Sequence, residues 1–546
     1  VAYNSLLLTR RKEIHGRIGK AIEELYSDRL EEFYEMLAYH YSKSDDLAKG
    51  IGYGEKAAAR ASSVYAYAEA ARLLEQALEV QKVLDPDDKG KKCDLLLDLA
   101  DALRLANHAQ RARDVELVEA YSLAESMGDR ARASRACILA TRCLWFSGNF
   151  DPASWVSPQA VLWAERADRY AAEGTIERVW ADHAMGITTW WTGQLMNRHD
   201  LMSKAIRLFT RALDAARRFG DPETFWFAAL AWLANVEAPR HAGERRHLAE
   251  ELTTRSRAGV SEATLGMALY VIGGALLESG QRQRAEECFA ELRGIAERSR
   301  QGNLLLLSMA CDAIAATLDG RLDEAIALGR QIESLGEELG FHTNGVMIRL
   351  RDTSTALAYV GKFDELDRLM DLLKFPPDAL RLAIAHRDAE AVAALDALVA
   401  SRSGVEPSED ETPGSRDMGS LQAAILVRHR EAAEFLVLRF AHSGLHTTMP
   451  NRICPSRHLG AAAVLLGRPE EARAYYEEAL DMATGLRFRP EIALTRLQLA
   501  ELLLAHYPEK KAEALEHLDF AIGEFKEMKM QPALERALRQ REALKA

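Results

Sequence analysis

A pattern that recurs about every forty residues constrains this chain more than any other feature. Three segments align on a short turn: IGGALLESGQRQRAEECFAEL from Ile272, DAIAATLDGRLDEAIALGRQI from Asp312 and LGAAAVLLGRPEEARAYYEEAL from Leu459. Each reads as a helix, a glycine turn and a second helix that opens on charged residues and alanine. The turn glycines are Gly280, Gly320, Gly361 and Gly467, the first three at steps of 40 and 41. Weaker turns at Tyr65, Asn107, Gly148, Gly193, Asn235, Arg387, Arg428 and His506 continue the series at steps mostly between 39 and 45, with one short step of 26 from Gly361 to Arg387. One such hairpin cannot bury its apolar stripe alone, and stacking on neighbours completes the core. At about 150 residues per domain, 546 residues would suggest three or four domains. The repeat replaces that estimate with an all-α superhelical solenoid of about twelve hairpins. Only 34 glycines and 15 prolines punctuate the chain, which agrees with helices rather than strands and loops.

Within each unit the small and apolar positions are those that let two helices approach closely. In one unit they are Ile272, Gly273, Leu276, Gly280, Ala285 and Phe289; in another, Leu459, Gly460, Ala463, Gly467, Ala472, Tyr476 and Ala479. This order of Leu-Gly, small, Gly, Ala, aromatic and Ala resembles the tetratricopeptide repeat. The period exceeds the roughly 34 residues usual in that family, so longer helices or links are expected. Several second helices also end alike, in LAESMGDRARA from Leu123, DAARRFGDPET from Asp214, SLGEELGFHTN from Ser334 and DMATGLRFRPE from Asp481.

Two stretches interrupt the array. Residues 401–420, SRSGVEPSEDETPGSRDMGS, are polar, acidic and aperiodic, which predicts a flexible linker or insertion. The KFPPDA segment from Lys374 marks a break, since paired prolines do not continue a helix. The opening segment, from Leu6 to Glu79, carries a second likeness in Arg11, His15, Ile18, Ala21, Leu25, the run Leu37 to Tyr41, Ala57, Ala70, Leu74 and Ala77. It resembles the junction at which an AAA/STAND-type ATPase module of large bacterial signalling proteins passes into its repeat tail. That arrangement is found in class III adenylate/guanylate cyclases fused to an ATPase and repeats, and in LuxR-type ATP-dependent regulators. The resemblance implies a cyclase or regulator module and a nucleotide-binding module upstream. The first residue is Val, and Tyr3 to Lys12 reads as helix interior, so the chain is expected to be a piece of a longer protein. The expected organisation is a helical junction over 1–50, repeats over 51–400, a linker over 401–420 and further repeats over 421–546.

The net charge of -12 argues against a nucleic-acid surface over the whole molecule. Six cysteines without a CxxC pair suit a reducing, cytoplasmic setting better than a disulfide framework. No apolar run approaches the roughly 18 residues of a membrane span. The P-loop, G-x-S-x-G and H-E-x-x-H motifs are absent from the sequence. Gly50, Gly52 and Gly54 match no phosphate-binding spacing and read as a flexible turn between helices. The expectation is a non-catalytic chain with no cofactor of its own. The best metal candidate, His442, His446, Cys454 and His458, fits no common zinc module and reads as a polar link around a buried cysteine. His241 and His247, with Arg240, Arg245 and Arg246, read as a solvated basic loop. The Arg10–Lys12 run sits where an upstream module would contact it.

The tryptophans are the most informative side chains. All eight lie between Trp145 and Trp232, and Trp145, Trp190 and Trp232 recur at steps of 45 and 42, each three positions before a turn. In the tetratricopeptide family such positions face the concave groove that binds extended peptides. By that likeness Trp145, Phe146, Trp180, Trp190, Trp191 and Trp232 line a groove, with Arg142 and His183 as polar contacts. The alternative is that these rings fill the core between helices. Trp155 and Trp163 read as packing residues. The function expected is a sensory or interaction tail that takes a peptide, protein or small ligand and regulates the upstream module. The alternatives are a LuxR-type sensor region and a constitutive scaffold.

Overall fold

The computed structural model describes residues 7–148, 152–196, 198–237, 239–402, 415–441 and 454–544. Among them there is no strand. Helices follow one another as thirteen pairs from Leu8–Leu25 with Tyr34–Ser42 to Arg489–His506 with Lys511–Glu527, and the helix Gln531–Ala543 closes the series. The all-α repeat reading is therefore correct.

The hairpin geometry follows from the residues that the sequence pattern singles out. Gly273 lies under the Phe289 ring and Gly460 under the Tyr476 ring, so close that a Cβ on either glycine would enter the ring. Ile272, Leu276, Ala285, Leu459, Ala463, Ala472 and Ala479 are buried around these contacts. Gly280, Gly320, Gly361 and Gly467 all turn with φ between 77° and 79°, a left-handed conformation that side chains disfavour. Tyr65, Asn107 and Arg428 adopt the same conformation, as does His386 in place of its neighbour Arg387. Gly193 and Asn235 instead lie in the helices Ile176–Met196 and Pro222–Asn235.

Helix length accounts for the long period. The first helices Glu262–Glu278 and Gly302–Leu318 have 17 residues each, whereas Pro455–Leu466 has 12. The hairpin that begins with this short helix is followed directly by Arg489–His506, so the local step, from Pro455 to Arg489, contracts to 34. The short step of 26 arises from the stunted helices Phe363–Leu372 and Ala379–Ile384 on either side of the proline pair.

Three local expectations are corrected. The boundary at residue 50 falls inside the helix Leu47–Ser63, which also contains Gly50, Gly52 and Gly54. Gly50 abuts the backbone of Ser42 and Gly54 touches the Ala77 methyl. Gly50 and Gly54 thus admit neighbouring helices closely, Gly52 faces open space, and none of the three forms a turn. Both ends of the expected linker 401–420 are helical, in Asp388–Arg402 and Ser415–Leu426, and Arg402 pairs with Asp417 at 3.0 Å. Residues 403–414 lie outside the described residues.

By Cα proximity the chain forms two compact units. The first comprises 1–191, 210–224 and 297–303, and the second 192–209, 225–296 and 304–546. In the first, the Glu23 carboxylate accepts from the Tyr41 and Tyr53 hydroxyls at 2.6 Å and from Lys49 Nζ at 2.9 Å, which joins the first three long helices.

The second unit departs from a nearest-neighbour array, since its last hairpins touch turns far back in the sequence. Arg282 Nη1 donates to the carbonyls of Leu486 and Arg487 at 3.1 and 3.2 Å, and Arg489 donates to the Asp319 carbonyl. Lys529 pairs with Asp323 at 2.7 Å. Gly320 lies against Met528 and Gly361 against Pro532. The Tyr359 hydroxyl donates to the fully buried Glu491, which also takes Arg457 Nε at 2.6 Å.

Two expectations follow. Gly460→Val should lower unfolding free energy by about 1–3 kcal/mol through overpacking under Tyr476, read by urea denaturation. Glu491→Ala should cost more, about 3–5 kcal/mol, because it leaves the buried Arg457 guanidinium without its partner.

Candidate functional site

The candidate residues come from both units. In the first, Trp145 sits on Arg130–Gly148, and Trp180, His183, Trp190 and Trp191 sit on Ile176–Met196. Trp145, Trp180, Trp190 and His183 are buried. The Trp145 indole N–H donates to His183 Nε2, which places the imidazole proton on Nδ1, and the Trp155 ring meets Trp145 edge-on at 5.8 Å. The Arg142 guanidinium lies 5.7 Å from the Trp180 ring and donates to Glu223 Oε1 at 2.9 Å. Phe146 belongs to the same helix as Trp145, and its side chain lies outside the described ones. In the second unit Trp232 is buried and meets His241 edge-on at 5.8 Å.

Four of the six rings that the sequence reading placed at a groove, Trp145, Trp180, Trp190 and Trp232, are thus buried. Burial against neighbouring helices consumes most of the surface of these four. Burial drives the pKa of His183 down to about 3, so it is neutral and a fixed acceptor for Trp145. Burial and the nearby Arg104 lower that of Arg142.

Two of the candidates carry donors without acceptors among the described residues. Trp191 is only partly buried, and its indole N–H has no acceptor among the described residues. Arg142 Nε is likewise a buried donor without an acceptor among them.

No protein-family model matches the chain, and no curated protein matches it. Among solved structures it is similar to the crystal structure of the APC/C hetero-tetramer Cut9-Hcn1, at 13% identity over 95% of this chain and 96% of that one, with a TM-score of 0.43. A second likeness is to a circular tandem repeat protein with novel repeat topology and enhanced subunit contact surfaces, at 14% identity over 96% and 99% of the two chains, with a TM-score of 0.13.

Sequence reading missed the charged partners that hold this region together. Asp182 is buried and accepts from Arg178 Nε at 2.7 Å and from Arg211 Nε at 2.6 Å. Its signal was the i, i+4 spacing from Arg178 on one helix face. Arg166 lies 4.2 Å from the Tyr121 ring and 4.8 Å from the Trp163 ring, joining both.

The basic loop also needs correction. Arg245 is buried, donates to the Val236 carbonyl at 3.0 Å and pairs with Glu278 at 2.9 Å, so it caps the end of Pro222–Asn235 instead of facing solvent. His442 and His446 lie outside the described residues. Burial raises the Cys454 thiol to about 12, leaving it protonated, and His458 Nε2 faces the Arg457 guanidinium at 3.0 Å. Neither is disposed to bind a cation, and among the described residues no three ligand-type side chains converge. All six cysteines are buried, and among the described residues none forms a disulfide. No described helix is long and apolar enough to cross a membrane.

Seven of the eight indoles are buried, so tryptophan emission should be blue-shifted and largely resistant to iodide; strong quenching would place the rings on an open surface. His183 titrates near 6.5 when unfolded and near 3 when folded, so its contribution is intact above about pH 6.5 and is lost as pH falls towards 3. The decline in melting temperature over that window should be shallower in His183→Gln.

Proposed function

We propose that this chain is a non-catalytic interaction region of tetratricopeptide type within a bacterial signalling protein. On this reading it binds a peptide or protein along the first helices of the first unit. The partner would meet Trp191 and Arg142, while Trp145, Trp180, Trp190 and His183 hold those two in place. What supports the reading is that Trp191 Nε1 and Arg142 Nε, on first helices of successive hairpins, are donors without acceptors among the described residues. A buried N–H without a partner costs about 1–3 kcal/mol, so a ligand carbonyl or carboxylate that reaches it recovers that energy. Access requires a small parting of the helices, which makes binding and hairpin geometry interdependent.

The finer part of the proposal comes from the likeness of the opening segment to an ATPase–repeat junction. Binding in the groove would bias an upstream ATPase or nucleotide-cyclase module, provided that the partner prefers one arrangement of hairpins over another. The net charge of -12 disfavours nucleic acid as the partner.

Selection of short peptides from a display library against the chain tests the groove. Enriched peptides should lose about tenfold in affinity, ~1.4 kcal/mol, on Arg142→Met or Trp191→Phe. Equal binding by both variants, with unchanged circular dichroism, or a library without enrichment would reject it.

A further inference from the structure

The first helix carries two apolar stripes, and its own hairpin uses only one. His15, Gly19 and Ile22 are buried: Gly19 lies on the Tyr41 ring and His15 Nδ1 meets His40 Nδ1 at 2.9 Å. Beside them Leu7, Arg11, Ile14, Ile18, Ala21 and Leu25 follow one another at spacings of 4, 3, 4, 3 and 4, the interval of helices that pair side by side. Leu7 is 81%, Ile18 36% and Leu25 73% exposed. Met36 and Tyr39 on the next helix are exposed as well, and Leu8 is the sixth large apolar residue exposed in this hairpin. Of twenty-three such residues among the described ones, six fall in this one hairpin. The other end of the chain differs. The helix Gln531–Ala543 buries only Ala537 and is otherwise rich in Arg, Glu and Gln.

The order of residues along the exposed stripe indicates what covers it. Its positions are symmetric about Gly16: Leu7 mirrors Leu25 and Ile14 mirrors Ile18, while the long Arg11 falls opposite the small Ala21. A self-complementary strip is what a two-fold interface requires, because each residue must suit its mirror position in the other copy. We propose that two copies of this chain associate through antiparallel pairing of their first helices. Leu7 then meets the partner's Leu25, Ile14 meets the partner's Ile18, and the small Ala21 leaves room for the partner's Arg11. Along the outer edge run Arg10, Arg17 and Glu24, so Arg10 approaches the partner's Glu24 twice over. Only Arg17 meets its own like charge, at the solvent rim where screening is strong. Within its own helix Arg10 already pairs with Glu13, and Lys20 stands 3.9 Å from Glu24, so the charges set register more than affinity. An 18-residue helix is about 27 Å long, so a reversible dimer of moderate affinity is expected. None of these residues belongs to the groove proposed above, and failure of either proposal leaves the other standing.

Sedimentation equilibrium over a wide micromolar range tests the pairing. The mass should rise from 60.7 kDa towards twice that value. Ile18→Glu combined with Leu25→Glu should hold it at the monomer mass with unchanged circular dichroism. Register is read by cross-linking, since the native cysteines are buried. A mixture of Leu7→Cys and Leu25→Cys chains should form a disulfide-linked pair, and each variant alone should not. A monomer at every concentration, undiminished association in the double Glu variant, or Leu7→Cys linking to itself would each overturn the proposal.

Discussion

The array depends on how closely the two helices of a hairpin approach, and in two of the hairpins an aromatic ring lying on bare backbone sets that distance. Phe289 over Gly273 and Tyr476 over Gly460 leave no room for a methyl group. Close approach lets short residues such as Ala285 and Ala472 fill the seam, and the left-handed glycine at the turn then fits the chain reversal. Stacking follows because each hairpin still carries apolar surface on its outer faces. Variation in helix length, from 12 to 17 residues, is absorbed without changing the ring-on-glycine contact.

That dependence explains which parts of the fold were legible in the sequence. A ring, a glycine and an alanine at fixed offsets are local signals, so hairpin positions and the turns at Gly280, Gly320, Gly361 and Gly467 could be read from the letters alone. Gly50 and Gly54 show the limit. A glycine that admits a neighbouring backbone inside a helix looks the same in sequence as one that breaks a helix. Arg245 shows another limit: an arginine among charged neighbours reads as solvated unless the carbonyl it caps is known. The tryptophan register was visible, yet whether an indole faces solvent or a neighbouring helix depends on residues one hairpin away, such as His183 opposite Trp145. No local pattern predicts that Arg282 will reach Leu486.

The electrostatics follow the same division between local and distant. Most exposed pairs stand three or four residues apart, or one hairpin apart as in Arg330 with Glu365, and contribute little each. The few desolvated charges carry more consequence. Glu491 with Arg457 and Tyr359, and Asp182 with Arg178 and Arg211, fix particular helices to one another because an unpaired charge there would be costly.

The contacts from Arg282, Asp319 and Asp323 to residues between Leu486 and Lys529 have a consequence for how such a chain can change over time. An open solenoid can gain or lose a hairpin anywhere, because each unit sees only its neighbours. Between Arg282 and Pro532 the number of hairpins is fixed by the span that these contacts bridge. Duplicating or deleting one unit there would carry Lys529 and Arg489 out of reach of their turns. In this stretch the copy number is therefore held as tightly as any core residue.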